Sequence, residues 1–210
     1  PPLKPGALAA FIEDGSALVL SWAPYAGTVG YKVYKDGAYL APVSASAYTF
    51  RDTAYSPAAA HVYEVLAVDA NGREGARARA EIPALSLALA GYGSFLDGAE
   101  ALNRGFFDAI RFTVINKGAQ AVQAGPLAFS AGGGQAVAAP QTIVPAGGAA
   151  ELSAVVYTST EAADSLSGQA VLSLPQGGDA SISAALNVTL KTRAPLEPVV
   201  EVYPEPLVRG

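Results

Sequence analysis

The only histidine, His61, opens the stretch HVYEVLAVDANG, with Tyr63 and Glu64 close behind it. An imidazole beside a carboxylate is the raw material of general acid–base catalysis. Such a residue still needs a nucleophile to activate or further ligands around a metal. The chain offers no second histidine and no cysteine, so His61 is expected to serve architecture rather than chemistry. Carboxylates gather once, as Asp97, Glu100 and Asp108 in FLDGAEALNRGFFD. A calcium site asks for about six to eight oxygens in fixed geometry, and this spacing lacks the alternation of a calcium loop. Solvated loop charges are the expectation there, and Glu13 and Asp14 read as a turn with Gly15.

The glycine-rich SAGGGQ (130–135) has no following lysine and no strand-to-helix setting, so it reads as a hairpin connection and not a phosphate loop. No Ser-His-Asp arrangement is credible, and no catalytic residue, metal site or cofactor is expected. Tyrosines are the more informative group. Tyr34, Tyr39, Tyr48 and Tyr55 all lie in the first half, some at positions alternating away from a core. Open rings stack on sugars or anchor protein interfaces; the other reading packs them on an outer sheet face or a neighbouring domain. Asn187-Val188-Thr189 fits a glycosylation sequon but falls inside a predicted strand and is taken as chance; no Arg-Gly-Asp is present.

The elements that must hold these residues are strands. Of 210 residues, 51% are apolar and 15% charged, with 22 glycines and 15 prolines punctuating short apolar runs. That pattern implies an all-β protein with ample core. The net charge of −5 has no basic segment within it, which disfavours nucleic acid and anionic membrane surfaces as partners. No apolar run approaches the ~20 residues that span a bilayer. With no methionine anywhere, Pro1 reads as the start of a fragment or a processed product.

ALVLSW (17–22) has strand periodicity, and GYKVYKDGAYL reads as two strands joined at Asp36-Gly37. Both residues of that dipeptide tolerate positive φ, as a tight hairpin requires. Asn71-Gly72 is expected to repeat the device after HVYEVLAVDA, where His61, Tyr63, Val65 and Ala67 share one face.

LSWAPYAGTVGYKVYKDG, YTFRDTAYSP and YEVLAVDANGREG, in this order and spacing, resemble a fibronectin type III domain of the bacterial secreted kind over about residues 5–82. The resemblance implies that Trp22 and Tyr31 pack the core alongside Tyr63. It also implies that His61 stands where a corner tyrosine is usual, with its imidazole bonding to a nearby backbone carbonyl.

Beyond Pro83, ALSLALAG, DAIRFTVINKG, GPLAFSAGGG, QTIVPAGGAAELSAVVY, GQAVLSLPQGG and ASISAALNVTL read as strands of a second sandwich. FTVINKG, IVPAGGAAEL and GQAVLSL resemble bacterial immunoglobulin-like adhesion modules, over about 84–192. The expected organisation is two tandem β-sandwiches, 1–82 and 83–192, joined by the short AEIPALS, which restricts their mutual angle. Residues 193–210, with Pro195, Pro198, Pro204 and Pro206, read as a linker or the first strand of a further domain. These resemblances imply a non-catalytic stalk, fibre subunit or adhesion scaffold of an extracellular or cell-surface protein. Protein partners or self-association are expected, with no membrane insertion in this segment. The alternative is an accessory module, polysaccharide-binding through its tyrosines, of a secreted polysaccharide-degrading enzyme.

Overall fold

Alternation of apolar and polar residues decides which segments pair, and glycine turns decide where they reverse. The computed structural model describes residues 4–94, 99–131, 134–137 and 139–194. Asp97, the glycine pair 132–133 and the proline-rich stretch from 195 lie outside the described residues. The described chain is all β and forms two β-sandwiches.

The first sandwich comprises β1 (Ala9–Glu13), β2 (Ala17–Ser21), β3 (Thr28–Lys35), β4 (Ala38–Ser44), β5 (Thr49–Asp52), β6 (His61–Asp69) and β7 (Ala78–Ile82). One of its sheets runs β5-β2-β1 and the other β4-β3-β6-β7, a fibronectin type III-like arrangement. Between them lie Leu18, Leu20, Trp22, Tyr31, Val33, Tyr63 and Val65. Asp36 and Gly37 both take positive φ, which closes β3 onto β4 as a tight hairpin. Asn71-Gly72 behaves differently from the expectation. Only Gly72 has positive φ, because the Asp69 carboxylate accepts the Asn71 and Arg73 amides and shapes a longer turn.

The second sandwich comprises β8 (Leu85–Gly93), β9 (Leu102–Asn103), β10 (Phe107–Asn116), β11 (Val122–Ala124), β12 (Leu127–Ala131), β13 (Gly134–Val137), β14 (Thr142–Val144), β15 (Ala149–Thr158), β16 (Ser165–Gly177) and β17 (Ala180–Arg193). β8-β10-β15 and β17-β16-β12 make its two layers, and β13 pairs with both β12 and β15. Ile110, Phe112 and Val114 bury one face of β10, and Asn116 ends it. That buried amide donates to the carbonyls of Gln120, Val144 and Pro145 and accepts the Gly118 amide, so neither its nitrogen nor its oxygen is stranded.

A short junction is not the only thing joining the sandwiches. β1 pairs in parallel with β17 over Ala9–Glu13 against Ser181–Ala185, so one sheet of eleven strands crosses both halves. The even-numbered residues of β17 are inward along most of its length. Ala180, Ile182 and Ala184 lie where it meets β1 and β7, and Val188, Leu190 and Thr192 where it meets β8 and β9. One strand thus closes the cores of both sandwiches.

Candidate functional site

Two places concentrate polar and aromatic side chains in the first sandwich, and a third lies where the sandwiches meet. The first surrounds His61. Its Nδ1 lies 2.8 Å from Asp36 Oδ2, while Asp36 Oδ1 accepts the Val62 amide at 2.8 Å. The ring is half-buried, edge-on to Tyr55 and to Tyr63. The backbone carbonyl expected as its partner is replaced by the Asp36 carboxylate, because the β3–β4 hairpin swings that side chain over the start of β6. Burial alone would raise the Asp36 carboxyl, but the Val62 amide and His61 outweigh it and hold it below the usual carboxylate range.

Beneath the histidine, Tyr63 donates to Asp52 Oδ2 at 2.6 Å, and the Lys35 ammonium donates to the same oxygen at 2.8 Å. The Ala54 amide takes Asp52 Oδ1 at 2.8 Å. Burial opposes ionisation of Asp52, yet these three donors together keep its carboxyl below its ordinary value. Burial first, and then Asp52, pushes the Tyr63 phenol well above its own. This is a satisfied carboxylate tying β5 in one sheet to β3 and β6 in the other. Trp22 and Tyr31 are likewise buried, edge to face at 5.2 Å, and the Tyr31 hydroxyl accepts the Tyr25 amide.

The tyrosines separate. Tyr55, grouped on sequence with the interaction surface, is 5% exposed; its hydroxyl is pushed up to about 12 by burial. It belongs to the core because it packs edge-on to His61. Tyr34 is half-buried, with the Arg77 guanidinium 4.0 Å over its ring and Tyr39 edge-on at 5.6 Å. Tyr39, 53% exposed, and Tyr48 on the β4–β5 connection keep open faces. The 73° between Tyr34 and Tyr39 makes a cross-strand clip and not a flat platform. Sequence reading passed over a second aromatic pair, the exposed Phe107 and the half-buried Tyr157, whose rings sit 5.1 Å apart on neighbouring strands of the second sandwich. Alternation along β10 would have placed Phe107 outward.

The third place is the β1–β17 seam. The Leu8 carbonyl accepts the Ser181 amide at one end of the ladder, and the Asp14 amide donates to Ala185 at the other. Asp14 takes positive φ at the β1–β2 turn, which aims its carboxylate across the seam. Its Oδ1 accepts the Asn187 amide at 2.7 Å and its Oδ2 the Asn187 side-chain amide at 2.8 Å. At the opposite end the β16–β17 turn docks backbone to backbone on β7. The Asp179 amide donates to the Arg79 carbonyl, and the Arg79 amide donates to the Asp179 carboxylate. A Cβ on Gly177 would sit 2.2 Å from the Glu81 carbonyl, so only glycine fits this approach. Lys4 reaches Asp179 at 2.6 Å and, with the Arg79 amide, lowers its carboxyl. Ile12 and Ile182 are buried along the ladder, each stabilising by about 1.5–3 kcal/mol.

A groove of about 870 Å³ runs over this seam, lined by Ser21, Ser173, Ser181 and Ser183 with Asp179 as the one ionisable lining group. Among the described residues no three His, Cys, Asp or Glu side chains converge. Asp108 of the acidic stretch is buried and accepts from both the backbone and the side-chain amide of Asn103; Glu100 is exposed. Chemically, the molecule's polar groups are arranged to tie strands together.

No family model matches the sequence, and no curated protein does. Similar solved structures include a fibronectin type III-like protein from Clostridium thermocellum, 28% identical, covering 37% of this chain and 90% of that one at a TM-score of 0.32. The CbhA fibronectin(III)-like modules of the same organism are 14% identical, with 94% and 96% covered and a TM-score of 0.30. The spore cortex lytic enzyme SleM of Clostridium perfringens is 20% identical over 39% of this chain, which spans 28% of the enzyme, at 0.36. These likenesses are loose, and the sandwich arrangement stands on strand order and pairing.

Proposed function

We propose that this chain is a stiff, non-catalytic spacer of the stalk or scaffold kind, in an extracellular or cell-surface protein as the sequence resemblance implies. We read its second sandwich as immunoglobulin-like, on the layers β8-β10-β15 and β17-β16-β12 with β13 crossing between them. The observation that carries the proposal is the parallel pairing of β1 with β17. A flexible tandem pair needs only a linker; this pair spends a strand of one domain on the sheet of the other. Two sandwiches sharing one sheet keep a fixed angle, which suits a part that holds other parts apart.

Spin labels test it. The chain has no cysteine, so Ser46→Cys and Ala119→Cys, both exposed and one in each sandwich, label uniquely. A single narrow distance distribution is expected, and a broad or bimodal one sinks the spacer reading. The accessory-module alternative draws only on Tyr39 and Tyr48, since Arg77 covers Tyr34 and Tyr55 is buried. Retention on an insoluble polysaccharide, lost in Tyr39→Ala, is the result that would favour it.

A further inference from the structure

We infer that the β1–β17 seam is a tension clamp, which carries load applied along the chain directly from β1 to β17 and shields both sandwiches from it. This rests on the spacer reading. The geometry is that of shear. β1 and β17 run parallel, so the chain enters the ribbon at the Leu8 end, beside Ser181. β17 continues past Ala185 to Arg193, about 25 Å further at about 3.3 Å per residue. Entry and exit therefore lie at opposite ends of one ribbon, roughly 40 Å apart. Tension draws β1 back along its axis and β17 forward along its own.

The bonds between two such strands lie across that pull, so the ladder must yield together and not one rung at a time. Residues 15–180 sit inside the loop that the ladder closes, off the direct path. Each end of the ladder is also reinforced by side chains. Asp14 grips Asn187 beyond the last rung through both carboxylate oxygens. At the first rung, Asp179 holds Lys4 and the Arg79 amide. A seam needed only to fix an angle would not require this pairing direction, since antiparallel strands fix an angle as well. Parallel strands with opposite exits are what turn an angle-fixing contact into one that resists extension.

Single-molecule pulling of the whole chain in two geometries tests the clamp. With handles at the two chain ends, the ladder is sheared. With handles at Ala7→Cys and Gln176→Cys, exposed residues that both line the groove at the first-rung end of the seam, it is unzipped. The expected result is a first rupture force several-fold higher in shear than in unzipping, with no sandwich unfolding before it. Asp14→Ala is expected to lower the shear force. It should leave the first unzipping force unchanged, because in that geometry Asp14 is reached last. Equal forces in the two geometries overturn the clamp. So do extensions of about 25 and 40 nm, one per sandwich, with no seam rupture at higher force ahead of them. Either result beside a narrow spin-label distribution removes the clamp and leaves the spacer standing; a broad distribution removes both.

Discussion

Two of the outer strands of the first sandwich meet different fates. β1, with the sequence AAFIE, carries no proline, no lysine and no bulge, and it is covered by β17. β4, with the sequence AYLAPVS, ends its sheet without a further partner among the described residues. It carries Pro42, and its register against β3 skips Leu40, which bulges. Unpaired edges recruit other strands, and a proline or a bulge blunts that tendency. The contrast shows that the sequence guards the edge it leaves open and leaves unguarded the edge it means to fill. The exposed Tyr39 and Leu40 sit on the guarded edge, which speaks against strand addition there.

The hardest blow to the filled edge is Gly177→Val. The Glu81 carbonyl that meets the new side chain is backbone and cannot swing aside, so the β16–β17 turn must lift from β7. We expect a loss of about 3 kcal/mol in urea denaturation, with hydrogen exchange rising in β1 and not in β4. Unchanged β1 protection would mean that the edge holds without its cover.

Asp52→Ala strikes β5, away from the seam, and leaves the Tyr63 hydroxyl and the Lys35 ammonium without their carboxylate. About 2 kcal/mol is expected, with the spin-label distance unaltered. The effect has a pH signature. Because the folded carboxyl sits below its unfolded value of about 3.9, its contribution is complete above that value and is lost as pH falls through the folded one. The stability gap between wild type and Asp52→Ala should therefore close below about pH 4; a constant gap would assign the loss to packing alone.

Much of this was readable in sequence where the signal is local. Alternation gave β10 its buried face, Asp36-Gly37 its hairpin, and Trp22 and Tyr31 their core places through the fibronectin type III resemblance. The seam was not readable. A parallel pair has no turn between its strands, and residues 9–13 and 181–185 are joined by no short connection whose geometry could announce them. Two traces were there: an edge strand with no protection, and ASISAALNVTL, part of a fourteen-residue strand far longer than the ordinary five or so. Asp14 and Asn187 read in sequence as a plain turn and a chance sequon because each acquires meaning only from the other. His61 and Tyr55 mislead for a related reason. His61 finds its carboxylate on a hairpin and Tyr55 itself stands on a loop, and periodicity reports on neither.

Pairing of Asp14 with Asn187 is smaller in energy but isolates the seam more sharply. Both side chains are exposed, so Asp14→Ala alone should cost about 1 kcal/mol. A cycle with Asn187→Ala should return a coupling of about 0.5–1 kcal/mol; additive losses would show that the latch is not made.

Tyr39→Ala completes the comparison from the other side. Its ring is largely exposed and gives the first sandwich only an edge contact to Tyr34. A stability change under about 0.5 kcal/mol is expected, and the chain should stay monodisperse at high concentration with or without the ring. A variant that becomes more monodisperse than wild type would reveal the open edge as a docking strand after all. The distinction between a filled edge and a guarded one would then fail, because β4 would be waiting for a partner of its own. If neither stability nor association moves, the bulge at Leu40 and Pro42 suffice to keep this edge to itself, and the seam remains the place where the fold commits a strand.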